Sequence, residues 1–522
     1  MPHYPSVYPS EVKYRPGRIQ SLNAQQEVIL KQCWATLLRY WGYEIDLSVE
    51  DIQNREAYVA SSVCQDLAAT NDSASIDVKK KKSFFSKKNL QHQTKGKLSE
   101  KRGNDLRKNS QRYTPNVTPS RDVIANYYKH VGHESCGESD IDDDASLDTF
   151  QTASDSLEGT LVDFAAQEAT KLQSATNATY RKRGSVDSQN DLLLFMSEYD
   201  PSEIHNCFLG TIKNDLIDNF VLRFVRARKG NYDDTMKMLI KSIHWRHHEV
   251  EVENLLREGD APSVVTGEHP GFVKNFMVNK AFVRGEDKNK NPLFIFQSRK
   301  HFASDSSLAG TERYALLIIE WCRLFLREVN ESVDLCSLMF DLSGFSMKNA
   351  DNAPVKFLTS IFEAHYPESL GIVIVHNAPW IFSTVWNIIK NWLDPVVASK
   401  IHFTKSYEDL QKFIEPKYIP EYLGGKDVKE LTYHKPGPEH TKPMKEKDKA
   451  FYSLKRERDQ ILLQIIETTK RWICCTDSEA SSFFLKEKIV LSYQLSNNYI
   501  ALDPYLRNPG VYDRDGTLKL RN

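Results

Sequence analysis

Three clusters of charged and polar residues have the composition of binding sites. The first is RFVRARK at 223–229, in which cations and apolar residues interleave at the end of a predicted helix. The second, HYPESLG at 365–371, and the third, LDPVVASKIH at 393–402, each lead into a short apolar run. Because cations at a helix C-terminus also stabilise the helix dipole, capping and a binding role both stay open for the first cluster.

The sequence carries no catalytic signature. It lacks the GxGxxG, GxxxxGK[ST], GxSxG and HExxH patterns of nucleotide-binding proteins, hydrolases and metalloproteases. His247, His248 and Glu249 are contiguous on a predicted helix, where neighbouring side chains point in different directions. We therefore expect them at the surface, and we predict a protein that is not an enzyme and uses neither a metal nor a cofactor.

The cysteines indicate a reducing compartment. Eight of them are scattered along the chain without a CxxC pair, and the adjacent Cys474 and Cys475 have poor geometry for a disulfide. The N-terminus has no apolar signal region, and no apolar run reaches the roughly 18 residues of a membrane span. We therefore expect a cytoplasmic protein with reduced cysteines.

The chain has 522 residues and a net charge of −1, which excludes a uniformly basic nucleic-acid binder. Residues 79–112 hold 13 basic and 2 acidic side chains, whereas residues 134–158 hold 9 acidic and no basic ones. We predict a disordered linker over 66–200. Its basic block is either a solvated spacer or an attachment to anionic lipid, and Ser185 in RKRGS is a candidate phosphosite.

Hydrophobic periodicity predicts helices at both ends and an α/β domain between them. Residues 22–41 place apolar side chains on one helical face, and two further helices are predicted over 448–474 and 481–500. Between them, four apolar runs alternate with helical segments at 311–328, 353–364, 379–393 and 406–414, which predicts a largely parallel sheet. The runs are Leu293–Phe296, Leu335–Phe340, Gly371–Val375 and Lys400–Phe403.

The segment 380–393 has an apolar arc that contains two tryptophans. Its polar residues, among them Ser383 and Asn387, occupy the opposite side. An ordinary core helix is one interpretation of this pattern. A helix that lines an apolar cavity or touches a membrane interface is the other.

Several ordered motifs resemble the CRAL-TRIO lipid-binding family, and within it the fungal phosphatidylinositol transfer proteins. They are LRFVRARKGNYDDTMKML from 222, DLSG at 341–344, YPESLG at 366–371, NAP at 377–379, DPVVASKI at 394–401 and IPEYLGG at 419–425. The resemblance covers about 205–425 and, for a fungal subgroup, extends to the terminal helices. It implies a helical module packed on a mainly parallel sheet, with an apolar lipid cavity closed by a gate helix.

The resemblance also implies a domain plan. It comprises an N-terminal helical segment (1–65), the disordered linker (66–200), the helical module (205–260), the lipid-binding domain (265–427) and a helical extension (440–522).

By the same resemblance, a phosphatidylinositol headgroup binds Arg228 or Lys229, together with Glu368 and Lys400. Val397 replaces a threonine that the family places near this headgroup. The implied gate residues are Ile381, Phe382, Val385, Trp386, Ile389, Trp392 and Leu393.

The family's second, phosphatidylcholine-binding site lacks its hydroxyl groups here. The matching positions are Val283, Phe294, Cys336 and Leu338. A zwitterionic headgroup would be unsatisfied among such side chains, so we expect a less polar second lipid, sterol-like or isoprenoid.

The resemblance thus implies exchange of phosphatidylinositol between membranes by a peripheral protein of intracellular membranes, such as endosomes, microsomes or lipid droplets. Lipid kinases are expected partners, and nucleic acid is not. The alternative is a lipid-sensing scaffold that keeps its lipid and recruits partners through the linker and the C-terminal helices.

Overall fold

The computed structural model describes residues 12–45, 47, 51–52, 186–429, 432–475 and 477–520. All of these belong to one of two compact units, which comprises Met1–Asp72 and Tyr180–Asn522. Both charged blocks of the predicted linker, and the candidate phosphosite Ser185, lie outside the described residues.

The chain that precedes the sheet is helical. Helix α1 (Ala24–Tyr40) begins at Asn23, whose side chain accepts a hydrogen bond from the Gln26 amide, and it confirms the helix predicted over 22–41. Its buried face shares one core with the helices after residue 186. In this core they are α2 (Val186–Met196), α3 (Pro201–Thr211), α4 (Ile217–Ala227) and α5 (Tyr232–His244). The helices α6 (Val252–Glu258), α7 (Ala261–Thr266) and α8 (Pro270–Met277) follow, and the buried residues of α6 and α8 belong to a second core.

A five-stranded sheet follows and confirms the α/β prediction. Its strands lie side by side in chain order, with β1 antiparallel to β2 and the remaining neighbours parallel. They are β1 (Ala281–Glu286), β2 (Pro292–Gln297), β3 (Cys336–Asp341), β4 (Leu370–His376) and β5 (Ile401–Thr404). The sequence did not predict β1, because Arg284 and Gly285 interrupt its apolar pattern.

Helices connect the parallel strands, as the alternating pattern predicted. Strand β2 is followed by α9 (Leu308–Arg323), and β3 by α10 (Asn352–Ala364). The connection from β4 to β5 contains two short helices, α11 (Phe382–Ile389) and α12 (Pro395–Ser399). Helix α13 (Tyr407–Leu410) follows β5.

The two faces of the sheet have different surroundings. Leu293, Ile295, Met339 and Ile374 point to one face and pack in a core with the segment after β5. Alternate residues of the same strands point to the other face, where α9, α10 and α11 lie.

The C-terminal region forms the two predicted helices, α14 (Lys449–Ile473) and α15 (Ser478–Leu506), followed by α16 (Val511–Arg514). They are part of the fold rather than an appended tail. Trp472 Nε1 donates to Glu27 Oε1 of α1 at 3.1 Å, and Lys488 Nζ lies 2.9 Å from Asp218 Oδ1 of α4, with both side chains of this ion pair fully buried.

Four predicted boundaries were wrong. The predicted linker ends too late, because 186–196 is helical and its Leu192 and Met196 are buried in the core. The helix predicted over 379–393 spans only Phe382–Ile389, since Pro379 and a turn after Lys390 bound it. The helix predicted over 406–414 is reduced to α13, and α15 continues past residue 500 with Pro504 inside it.

Candidate functional site

A large cavity lies between the sheet and the helices over one of its faces. It contains about 2310 Å³ of empty space, counting the part that opens to solvent. The floor is formed by Phe294, Phe296, Leu338, Phe340 and Val373, and α9, α10 and α11 supply the walls. Hydrocarbon surface on most sides makes this a site for an apolar molecule.

The segment predicted as a gate helix forms one wall of the cavity. Six of its seven predicted residues line the cavity: Phe382, Val385, Trp386, Ile389, Trp392 and Leu393. Ile381 does not, because it lies at the N-cap of the shorter helix α11. Trp380, one residue earlier, is 88% exposed. The wall therefore has a cavity-facing apolar side and an exposed aromatic residue next to its first turn.

Glu368 and Lys400 lie on the rim of the cavity, at the edge of the sheet where β4 and β5 begin. Neither side chain lines the cavity, but Pro367, Ser369 and Val397 beside them do. Lys400 Nζ donates to the backbone oxygen of Leu370 at 2.9 Å, and both rim side chains are partly exposed. The structure thus brings these two predicted residues to the same edge, with one cation and one carboxylate open to a ligand.

Arg228 and Lys229 lie at the end of α4. Arg228 is the half-buried C-cap residue, and Lys229 is exposed with a left-handed φ of 52°. The Gly230 amide donates to the oxygen of Val225 and closes the helix end. Among the described residues, neither side chain forms a hydrogen bond or an ion pair with Glu368 or Lys400. Their position therefore also fits the capping interpretation.

Arg226 belongs to the RFVRARK cluster but was not among the predicted headgroup residues, and it lies one turn away from Lys229. Its Nη1 donates to the oxygen of Gly17, while Nε and Nη2 are buried without a hydrogen-bond partner among the described residues. Burial, with Arg18 and Arg223 nearby, lowers the pKa of Arg226 to about 9, although the Glu368 carboxylate acts in the opposite direction. Arg226 is thus a second cation in the electrostatic surroundings of the rim.

Asp334 balances much of this positive charge. Burial alone would raise the pKa of Asp334, but Arg223, Arg18, Arg15 and Arg226 lower it. Arg18 Nη2 lies 2.7 Å from Asp334 Oδ2, and Arg15 Nη1 lies 3.1 Å from Oδ1. The segment before α1 is therefore tied to the base of the rim.

Charged groups in the cavity wall are neutralised by one another. Arg246 Nη1 lies 3.0 Å from Glu320 Oε1, and the Tyr366 hydroxyl donates to the same oxygen at 2.6 Å. Burial would raise the pKa of Glu320, but Arg246 and Arg323 hold it at about 2. A ligand in the cavity therefore meets compensated charges at this wall.

Only three of the four residues predicted for a second ligand line the cavity. Phe294, Cys336 and Leu338 line the cavity floor. Val283 does not line it, because the C-terminal region covers β1 and the Tyr512 hydroxyl accepts a hydrogen bond from the Val283 amide at 2.9 Å.

The expectation of reduced cysteines is also corrected for one pair, since the fold brings α9 next to β3 and Cys322 forms a disulfide with Cys336.

No helix of the part of the chain that the structure describes is both long enough and apolar enough to cross a membrane. Within the same residues, histidine, cysteine and carboxylate side chains form no cluster with the arrangement of a metal site.

Two family models match the chain. The CRAL/TRIO domain matches residues 276–425, and the CRAL/TRIO N-terminal domain matches residues 190–241. The first match covers the sheet and most of the residues that line the cavity, and the second covers most of α2 to α5. The N-terminal match also begins inside the region that the sequence analysis assigned to the linker.

Three fungal relatives match this chain over most of their own length. "Phosphatidylinositol transfer protein CSR1" of Eremothecium gossypii is 45% identical over 337 residues, which are 64% of this chain and 76% of that protein. A "CRAL-TRIO domain-containing protein" of Schizosaccharomyces pombe is 38% identical over 322 residues, 62% of this chain and 70% of the relative. Another from the same organism is 28% identical over 314 residues, 58% of this chain and 83% of the relative.

Proposed function

Because the chain belongs to the CRAL/TRIO family, we propose that it is a non-enzymatic lipid transfer protein that exchanges phosphatidylinositol between membranes. The observation that carries this proposal is the combination of a large apolar cavity with a polar rim at Glu368 and Lys400. Acyl chains would occupy the cavity, and the headgroup would remain at the partly exposed rim. The name of the 45% identical relative supports the choice of phosphatidylinositol.

The rim has suitable chemistry for this headgroup. A phosphodiester is stabilised by charge-assisted hydrogen bonds, which Lys400 and one of Arg228 and Lys229 would donate. The Glu368 carboxylate would accept hydrogen bonds from inositol hydroxyl groups. Val397 supplies no polar contact, so the remaining groups carry the recognition.

Release and uptake would occur at a membrane surface. We infer that α11 moves outward there, because Trp386 and Ile389 can exchange the cavity for the hydrocarbon of a bilayer at little cost. Trp380 would enter the interfacial region first, since it is already exposed. We propose that the protein acts peripherally on the cytoplasmic side of intracellular membranes, where lipid kinases would be consumers of the delivered lipid.

The apolar floor favours a less polar counter-ligand over phosphatidylcholine. Phe294 and Leu338 offer no hydrogen bond to a phosphocholine group, whose burial without partners is costly. We propose that a sterol-like or isoprenoid lipid is exchanged for phosphatidylinositol.

The test is transfer of labelled phosphatidylinositol between donor and acceptor vesicles by the full chain, with phosphatidylcholine as the comparison lipid. A double variant, Glu368→Lys with Lys400→Ala, should lose phosphatidylinositol transfer while its thermal unfolding remains cooperative. Unchanged transfer by the double variant would refute the site. Stable lipid binding by the unmodified chain without any transfer would favour the scaffold over an exchange protein.

A further inference from the structure

A second polar group of residues lies at the opposite end of the cavity from the rim. Lys280, Ser298, His301, Thr311 and Asp351 all line the cavity there. Lys280 precedes β1 and pairs with the end of β2, whereas Glu368 and Lys400 lie where β4 and β5 begin. Strand β2 has six residues, so at about 3.3 Å per residue the two polar ends are roughly 20 Å apart.

Three of these side chains form a connected chain of hydrogen bonds. Lys280 Nζ lies 3.0 Å from His301 Nδ1, and His301 Nε2 lies 3.2 Å from Asp351 Oδ2. Because the lysine donates to Nδ1, the histidine carries its proton on Nε2 and donates it to the carboxylate. Lys280 is 1% exposed and His301 is 6% exposed. This is a buried polar assembly in a cavity that is otherwise lined mainly by hydrocarbon.

The assembly is rigid and still has unused donors. Asn275 Oδ1 accepts from Lys280 Nζ at 2.6 Å, and the oxygen of His301 accepts from Asn349 Nδ2 at 3.0 Å. An ammonium group has three protons, and those of Lys280 have only two acceptors among the described residues. The Thr311 hydroxyl group belongs to a residue that also lines the cavity. One ligand oxygen can therefore be bound at this end.

We propose that this Lys280 pole binds the single hydroxyl group at the end of an otherwise hydrocarbon lipid. A hydroxyl oxygen accepts the remaining Lys280 proton, and its own proton can be donated to Thr311 or Ser298. The proposal rests on the proposed function insofar as it specifies the second lipid, and it excludes both a pure hydrocarbon and a phospholipid as the preferred occupant.

Charge decides against an anionic ligand. The Lys280 ammonium is the cation of the assembly, and two carboxylates, Asp305 and Asp351, act on it. A fatty-acid carboxylate would add a third negative charge to a site with one positive charge. A zwitterionic headgroup would need several donors and a counter-charge, whereas this pole offers one ammonium proton and two hydroxyl groups.

The experiment measures competitive binding to the full chain with three matched pairs of lipids. These are a sterol and the corresponding sterane, an isoprenoid alcohol and its hydrocarbon, and a long-chain alcohol and its alkane. In at least one pair the alcohol should bind about tenfold to a hundredfold more tightly, as for a hydrogen bond to a charged group. Equal binding of alcohol and hydrocarbon in all three pairs would overturn the proposal.

Variants locate the effect at the pole. Lys280→Met should remove the preference for the alcohol but leave hydrocarbon binding intact, whereas Lys300→Met, at a neighbouring half-buried lysine, should change neither. Asp351→Asn keeps an N-cap side chain for α10 and removes one negative charge, so it should shift selectivity from the alcohol toward the fatty acid. This second variant decides the question if Lys280→Met does not fold, and an unshifted selectivity would contradict the proposal.

Phosphatidylinositol transfer is measured in parallel with the unmodified chain. The absence of transfer would count against the proposed function. The ratio of the alcohol's affinity to the hydrocarbon's affinity tests the proposal for the Lys280 pole separately.

Discussion

Arg223 Nη1 donates a hydrogen bond to the backbone oxygen of Glu368 at 3.0 Å. Arg223 belongs to α4 of the helical module, and Glu368 lies before β4 at the cavity rim. The Nη2 atom of Arg223 donates to the backbone oxygen of Asp334 at 2.7 Å. The buried arginine thus holds the backbone of the rim residue, and the Glu368 side chain is left for another role.

Glu368 has a left-handed φ of 51°, which is unfavourable for a side chain other than glycine. We predict that Glu368→Gly leaves the free energy of unfolding unchanged or raises it by up to about 1 kcal/mol, because strain and glycine entropy nearly offset each other. Phosphatidylinositol transfer should nevertheless fall at least tenfold. Thermal unfolding and vesicle transfer are the two measurements.

The control for this prediction is Lys290→Gly. Lys290 also has a left-handed φ, 64°, but it lies exposed in the turn between β1 and β2. Its substitution should affect stability in the same direction and leave transfer unchanged. Full transfer by the Glu368→Gly variant would show that the Glu368 carboxylate is not part of the headgroup site.

Adjacent residues of β3 provide a test of the cavity. Leu338 faces the cavity, and Met339 is fully buried on the opposite face of the sheet. Leu338→Trp should extend into empty space, reduce the amount of lipid that copurifies by half or more, and leave the chain folded. Met339→Trp should instead destabilise the protein by about 1–3 kcal/mol through overpacking. Lipid extraction and denaturant unfolding distinguish the two, and similar outcomes would contradict the assignment of the faces.

Local patterns were enough to predict much of the fold. Short apolar runs separated by helical segments predicted the sheet, and ordered motifs identified Glu368 and Lys400 as candidates. The bond between Arg223 and Glu368 joins residues 145 positions apart, and no local pattern encodes such a contact. Val283 was assigned to the second-ligand pocket by its match to a family position. That assignment was wrong because Tyr512, 229 positions away, covers this part of β1.

The Lys280 pole was missed for the same physical reason. Its lysine, histidine and aspartate come from three separate loops, at the start of β1, after β2 and before α10. Individually they are ordinary polar residues of turns, with no metal-like or catalytic spacing. Only the convergence of strand ends at one edge of the sheet brings them together.

His365 makes the stability of the fold depend on pH. Its ring stacks on Trp245 with centroids 3.8 Å apart, and burial together with Arg246 lowers the pKa of His365 to about 4. In the unfolded chain His365 has its ordinary pKa of about 6.5 and therefore binds a proton more readily than in the folded chain. The free energy of unfolding should therefore decrease as pH falls from about 6.5 to about 4. This histidine contributes on the order of 1–3 kcal/mol to that loss.

His365→Phe keeps an aromatic ring on Trp245 and has no group that titrates. The difference in unfolding free energy between pH 7 and pH 5 should therefore shrink in this variant. His434→Phe, at an exposed histidine, should retain the full difference. An identical pH profile for His365→Phe and the unmodified chain would show that this ring does not control the acid sensitivity.

Trp380 is the most sensitive test of membrane docking. It is 88% exposed and lies immediately before α11, so it can enter a membrane interface without any change in the cavity. Trp380→Ser should weaken binding to phospholipid vesicles about tenfold, as expected for an interfacial aromatic residue, and slow transfer in proportion. Retention of prebound lipid in the absence of vesicles should not change, because Trp380 does not line the cavity.

Tyr452→Ser, at an exposed aromatic residue of α14, serves as the control in vesicle flotation and should bind normally. If both variants bind vesicles equally well, docking occurs through another surface and the proposed movement of α11 at the membrane loses its support.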